Sequence, residues 1–306
     1  MNPDKPNYPL GIESLTIDAG GFKLGALRCT PEQDANAATR LLCVHGWLDN
    51  AASFVPLMQE LNDIDLVAID LPGHGWSDHL GAGGDYSLAA TALLMPRIVD
   101  ALGWQNCHLV GHSLGGNTSL LSVVAAPEQF ESLVLLESAG PLTETPETMH
   151  KRLKKAAADR VQADKYQSRL IKDTKTAVAS RLAAVRMSND AAQLIIERQL
   201  LPIDAGKEAG YLWRFDPRLR LASPIYMMEE QVRALFAAVT QPTLSVVADD
   251  GFLAGRDETA SRLALLNNGH IAKVPGNHHM HMDDPAPSAS AIRQHLDKIG
   301  LQAENQ

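Results

Sequence analysis

The chain opens with two alternating apolar runs in "ESLTIDAGGFKLGALRCT", broken by Gly20-Gly21. Alternation around a glycine pair predicts an antiparallel hairpin. The rhythm then changes. "TRLLCVHG", "IDLVAIDLPGHG", "CHLVGHS" and "SLVLLES" are short runs, apolar at nearly every position, that end in Gly, Pro, Asp or Ser. Runs apolar on both faces suit strands buried in a parallel sheet. Helical patterns at 51–61, 88–102 and 114–125 separate them. Strand alternating with helix predicts an open, mostly parallel sheet with helices on both faces.

The pattern breaks after Pro141. From there to about residue 236 the stretches "ETMHKRLKKAAADRVQADKYQSRLIKDTKTAVASRLAAV", "DAAQLIIERQLL" and "SPIYMMEEQVRALFAAV" all read as helical, with no strand between them. Strand and helix resume with "PTLSVVADDG", a helix over 258–266, "GHIAKVPGNHH" and a helix over 288–299. The expected organisation is an α/β core formed by 1–140 and 237–306, interrupted by an inserted helical cap at 141–236.

Composition narrows the class. With 45% hydrophobic and 21% charged residues, the chain can bury a large core. A net charge of −9 disfavours nucleic acid as partner, because a phosphate backbone attracts basic faces. Cys29, Cys43 and Cys107 are too few and too scattered for a disulfide framework. "MNPDKPNYPL" lacks the basic start and apolar stretch of a secretory leader, and no apolar run approaches a membrane span. A cytoplasmic protein without a membrane span is expected.

The chemistry centres on "VGHSLGGN", which holds Gly111-His112-Ser113-Leu114-Gly115. A strand precedes Ser113 and a helix follows it. That is the context of a nucleophile elbow, a sharp turn that lifts a serine to the end of a sheet. Serine is a weak nucleophile and needs a base. "VPGNHHMHMDDP", between the last strand and the last helix, offers His278, His279 and His281. These three could also ligate a metal, but no matching group of zinc spacing stands elsewhere in the chain, so no metal and no cofactor is expected. A carboxylate must orient the base. Glu137, at the end of "LVLLES", and Asp249 and Asp250, at the end of "SVVADD", are the candidates. An oxyanion would be held by the N–H groups of Leu114 and of Trp47 in "HGWLDN", with His45 bracing that turn. "DLPGHGWSD" lacks the third glycine and the acidic partner of a dinucleotide loop, and "HKRLKK" reads as a solvated helix face.

"HGWLDN", "DLPGHGWSD", "GHSLGGN", a helical insertion after "LLESAGP" and "VPGNHHMHMDDP" stand in one order along nearly the whole chain. In that order they resemble the α/β-hydrolase superfamily. "HGWLDNAASF", "WRFDPRLRLASPIYMMEEQV" and "PGNH..HM" resemble, more narrowly, its serine hydrolase-like branch. The resemblance implies Ser113 as nucleophile and His278 as base, with Asn277 where the family usually has glycine. Most members carry the acid after the late strand, where this chain has Gly251. Haloalkane dehalogenases carry it after the strand before the cap, where Glu137 stands. The expected catalytic triad is therefore Ser113, His278 and Glu137, with Asp250 as the alternative acid. The dehalogenases and the similar epoxide hydrolases attack with aspartate, so a serine points instead to acyl transfer.

The expected function is a serine esterase-like hydrolase that cleaves a small or medium carboxylic ester or thioester through an acyl-enzyme. Trp213, Phe215, Tyr226, Met227 and Met228 are the candidate substrate-pocket residues. The alternatives are a carbon–carbon bond hydrolase of the same fold and a non-catalytic ligand-binding homologue.

Overall fold

The computed structural model describes residues 6, 8–31, 39–162, 170–203 and 209–303. The amino-terminal stretch read above for a secretory leader lies mostly outside these residues, and 163–169 of the charged helical stretch lies outside them. In chain order the elements are β1 (Ile12–Asp18), β2 (Lys23–Cys29), β3 (Arg40–Val44), α1 (Val55–Glu60), β4 (Asp65–Ile69), α2 (Leu88–Ala92), α3 (Met95–Ala101), β5 (Cys107–His112), α4 (Leu114–Ala125) and β6 (Phe130–Leu136). After these come α5 (Met149–Val161), α6 (Thr174–Ala184), α7 (Asn189–Gln199), β7 (Leu200–Ile203), β8 (Gly210–Trp213) and α8 (Glu229–Ala238). The chain closes with β9 (Thr243–Ala248), α9 (Asp257–Leu263), β10 (Gly269–Val274), α10 (Met280–Asp283) and α11 (Pro285–Ala303).

Eight strands form one sheet in the order β1-β2-β4-β3-β5-β6-β9-β10. The β1–β2 hairpin is antiparallel, as is its junction to β4, and the remaining pairs are parallel. Every residue of β4 and β5 is buried, which is why these strands read as continuous apolar runs rather than alternating ones. Two apolar cores, one on each face, hold the helices against the sheet. This is the α/β-hydrolase fold with its N-terminal hairpin.

Prolines account for two differences from the sequence reading. The helix expected over 88–102 breaks between Ala92 and Met95, because Pro96 has no N–H and sits in the first turn of a new helix. Likewise, 51–61 begins as a 3-10 turn (Ala51–Phe54) and restarts as α1 around Pro56.

The insertion between β6 and β9 contains α5 to α8 and also a small antiparallel strand pair, where the sequence reading placed no strand. Leu200 pairs with Trp213 and Ile203 with Gly210. The strand over Leu200–Ile203 was hidden because its leucines continue the apolar pattern of α7. The insertion is pinned to the sheet by buried polar contacts. Arg198 on α7 forks onto Asp70, at the end of β4, at 2.7–3.0 Å, and both side chains are buried. Asn50 Nδ2 donates to Ile195 O at 2.8 Å, and Gln199 Nε2 donates to Leu48 O at 3.2 Å. The last insertion helix, α8, turns its Val232 and Phe236 into the core of the sheet beside Leu120. No helix among the described residues is long and apolar enough to cross a membrane.

Candidate active site

Ser113 stands between the end of β5 and the start of α4 with φ +51° and ψ −113°, a backbone conformation that L-residues rarely adopt. Two glycines permit this turn. A Cβ on Gly111 would stand 2.5 Å from the carbonyl oxygen of Gly115, and a Cβ on Gly115 would collide with the backbone of Val44. α4 can approach β5 and β3 this closely only without side chains there. Ser113 N–H donates to Leu136 O at 3.0 Å, which ties the elbow to the end of β6.

The next residue after that end is Glu137, also at positive φ (+48°). Its turn aims the carboxylate inward, where it is 2% exposed. Oε1 accepts from Ala248 N–H at 2.9 Å, and Oε2 accepts from Phe252 N–H at 2.8 Å. Oε2 also lies 3.3 Å from His278 Nδ1. A carboxylate on Nδ1 leaves Nε2 as the acceptor in the neutral ring. Burial pushes the His278 pKa below its ordinary value, and Glu137 opposes that shift. Phe252 stacks on the imidazole, with centroids 4.0 Å apart and planes 20° from parallel. Among the described residues no hydrogen bond joins Ser113 Oγ to His278. Such contacts are often open before substrate binds.

Asp250 lies elsewhere. Its side chain is exposed and ion-paired with Arg186. Asp249 accepts from Gly276 N–H at 3.0 Å and braces the neighbouring loop. Of the three candidate carboxylates, the fold brings Glu137 against His278.

The loop after β3 carries Trp47. Leu71 N–H donates to His45 Nε2 at 2.9 Å, so His45 Nδ1 carries the hydrogen and donates to Gly46 O at 2.7 Å. His45 thus fastens this turn, and burial holds it neutral by lowering its pKa. The N–H groups of Trp47 and Leu114 are free of hydrogen bonds to described residues, and both residues border one cleft. The insertion supplies part of that cleft's wall through Arg160, Leu219, Leu221 and Ala222, and Tyr86 and Thr118 supply more.

None of Trp213, Phe215, Tyr226, Met227 and Met228 lines this cleft. Phe215 is buried and packs on Trp213, with ring centroids 5.4 Å apart. Tyr226 lies under the Arg152 guanidinium, Met227 packs on the core, and Met228 caps α8. Their apolar character is spent on packing. The cleft residues Leu219, Leu221, Ala222 and Ser223 lie between Phe215 and Tyr226 in sequence but carry no periodic signal.

A second cluster was not legible in the chain. Asp49, His112 and His279 are all buried and offer ligand atoms within 4.8 Å of one another. The sequence reading weighed His279 for metal binding but found no matching group, because Asp49 comes from the loop after β3 and His112 from the end of β5.

Residues 39–285 match the family model for the alpha/beta hydrolase fold. A "serine hydrolase-like protein" of Danio rerio is 30% identical over 269 residues, spanning 84% of this chain and 81% of its own. The crystal structure of a protein of Pseudomonas aeruginosa PAO1, described as hypothetical, is 31% identical with a TM-score of 0.84, covering 92% of this chain and 97% of that one. A thioesterase domain from the curacin biosynthetic pathway has a TM-score of 0.77 at 22% identity, covering 92% and 98%, a likeness of fold. The chain belongs to the alpha/beta hydrolase fold family and resembles, within it, the serine hydrolase-like proteins.

Proposed function

We propose that the protein is a serine hydrolase that cleaves a small or medium carboxylic ester or thioester through an acyl-enzyme. The observation that carries this reading is the buried Glu137–His278 pair at 3.3 Å, with Glu137 at the end of the strand next to the strained Ser113 elbow. Ser113 Oγ attacks the carbonyl carbon while His278 Nε2 takes its proton. Glu137 holds the ring in the needed tautomer and stabilises the imidazolium that forms. The N–H groups of Trp47 and Leu114 receive the developing oxyanion beside the N-terminus of α4. His278 returns the proton to the leaving group, and water then releases the acid by the same steps. The insertion between β6 and β9 acts as a cap over the cleft and selects the acyl group. Support also comes from the serine hydrolase-like relative and the thioesterase neighbour. Three buried, unpaired thiols suit a reducing cytoplasmic setting.

The test is hydrolysis of nitrophenyl esters and acyl thioesters of graded chain length. Wild type turns over at least one series. Ser113→Ala abolishes turnover, and Glu137→Gln lowers kcat by a factor up to ~10⁴, as loss of a triad acid does. Failure of the wild type on every ester and thioester sinks the reading.

A further inference from the structure

The His112 ring faces two acceptors. Its Nε2 lies 2.9 Å from the carbonyl oxygen of His278. A carbonyl only accepts, so Nε2 carries the hydrogen. In the neutral ring Nδ1 then presents a lone pair, and what it faces is Asp49 Oδ2, 3.5 Å away. Both side chains are fully buried, and Nδ1 makes no hydrogen bond. His279 approaches the same oxygen, its Nε2 3.4 Å from Asp49 Oδ2, while its Nδ1 is unpartnered. His281 lies alongside, its ring centroid 4.3 Å from that of His112. It is buried, and neither of its nitrogens is hydrogen-bonded. Lone pairs converging on a buried carboxylate leave a position suited to a cation.

We propose that Asp49 Oδ2, His112 Nδ1 and His279 Nε2 form a binding site for a divalent transition-metal ion such as zinc, and that the Arg181 guanidinium closes this site when no ion is bound. Ligands about 2.0–2.1 Å from a tetrahedral ion stand roughly 3.3–3.4 Å apart. The Asp49–His112 and Asp49–His279 separations of 3.5 and 3.4 Å are close to that edge. Imidazole and carboxylate donors suit zinc, cobalt, nickel and copper rather than calcium or magnesium. The Nε2–H of His112 on the His278 carbonyl is the outer contact that fixes a metal-binding tautomer. His281, whose nitrogens are both without a hydrogen bond, is a candidate for a fourth donor.

Arg181 on α6 makes the site an exchange site. Its Nη2 is ion-paired with Asp49 Oδ1 and lies 3.4 Å from His279 Nε2. Guanidinium and metal cannot both use the His279 lone pair, and two cations crowding one buried carboxylate repel. Metal binding therefore expels Arg181. This frees a contact between the insertion and the loop after β3, and ties the neighbour of His278 to Asp49. Metal binding itself does not depend on the hydrolase reading.

The experiment is titration of chelator-stripped, full-length protein with Co²⁺ and Zn²⁺ alone. The readouts are the visible absorption of tetrahedral cobalt and calorimetry. One ion per chain is expected. Arg181→Ala removes the competitor and tightens binding by about tenfold or more. His279→Gln and Asp49→Asn abolish binding, while His278→Gln retains it. Should Asp49→Asn fail to fold, His279→Gln and the wild-type cobalt spectrum decide. The proposal is overturned if no tetrahedral cobalt band appears, if Arg181→Ala binds no tighter, or if binding is lost with His278 and kept without His279.

Discussion

The carboxylate of Glu137 fills the space into which a side chain at residue 251 would project. A Cβ built on Gly251 would meet all three carboxyl atoms of Glu137 well inside normal contact. The late strand thus carries glycine at the usual acid position because the acid arrives from the neighbouring strand. One carboxylate fits there, and the chain supplies it from β6.

Gly251→Ala therefore displaces Glu137 from His278. The expected result is a fall in kcat of tenfold or more, since triad geometry tolerates little misplacement; ~1 Å can cost about a hundredfold. Steady-state kinetics on the best ester reads this. An unchanged kcat would show that the Glu137 carboxylate can shift without consequence.

Asp250→Asn breaks only the exposed pair with Arg186. Stability should change by no more than ~0.5 kcal/mol and kcat should be unaltered. A large loss of activity would restore Asp250 as the acid.

Arg198→Ala leaves Asp70 buried and uncompensated, though Asp70 keeps its hydrogen bonds from Ala51 and Trp76 N–H. Removing one partner of such a pair costs about 3–5 kcal/mol. Urea midpoints report the loss. A shift under about 1 kcal/mol would mean that the two amides and water suffice for Asp70.

His108, on β5, gives a pH dependence. Burial pushes its pKa down to about 4, from an ordinary value near 6.5. Below pH 6.5 the unfolded chain takes up this proton and the folded protein does not. The contribution is complete above that pH and is lost as pH falls toward 4. The half-exposed Glu131, 3.3 Å from Nε2, offsets part of the cost of charging the ring. The expected loss is of order 2 kcal/mol, at about 1.4 kcal/mol per pKa unit. Melting temperature followed from pH 7 to 4 should fall less steeply in His108→Gln, which can keep a hydrogen bond to Ser132 Oγ. Equal slopes in both proteins would remove His108 from the account.

What could be read from the chain alone is what lies within a few residues of itself. Gly111, Ser113 and Gly115 are spaced for a strand-turn-helix, and runs such as 41–44 and 66–69 are apolar at positions where both faces of a strand are covered. These features depend on local backbone sterics and on burial periodicity, so composition and spacing reveal them. The choice between Glu137 and Asp250 was of another kind. Both residues follow strands, and only the order β5-β6-β9 brings the end of β6 beside the Ser113 elbow and under the His278 loop. The cleft wall at 219–223 and the convergence of Asp49, His112 and His279 were hidden for the same reason. Each joins segments that are distant in sequence, and no local pattern records which strand ends and loops meet when the strands are laid side by side.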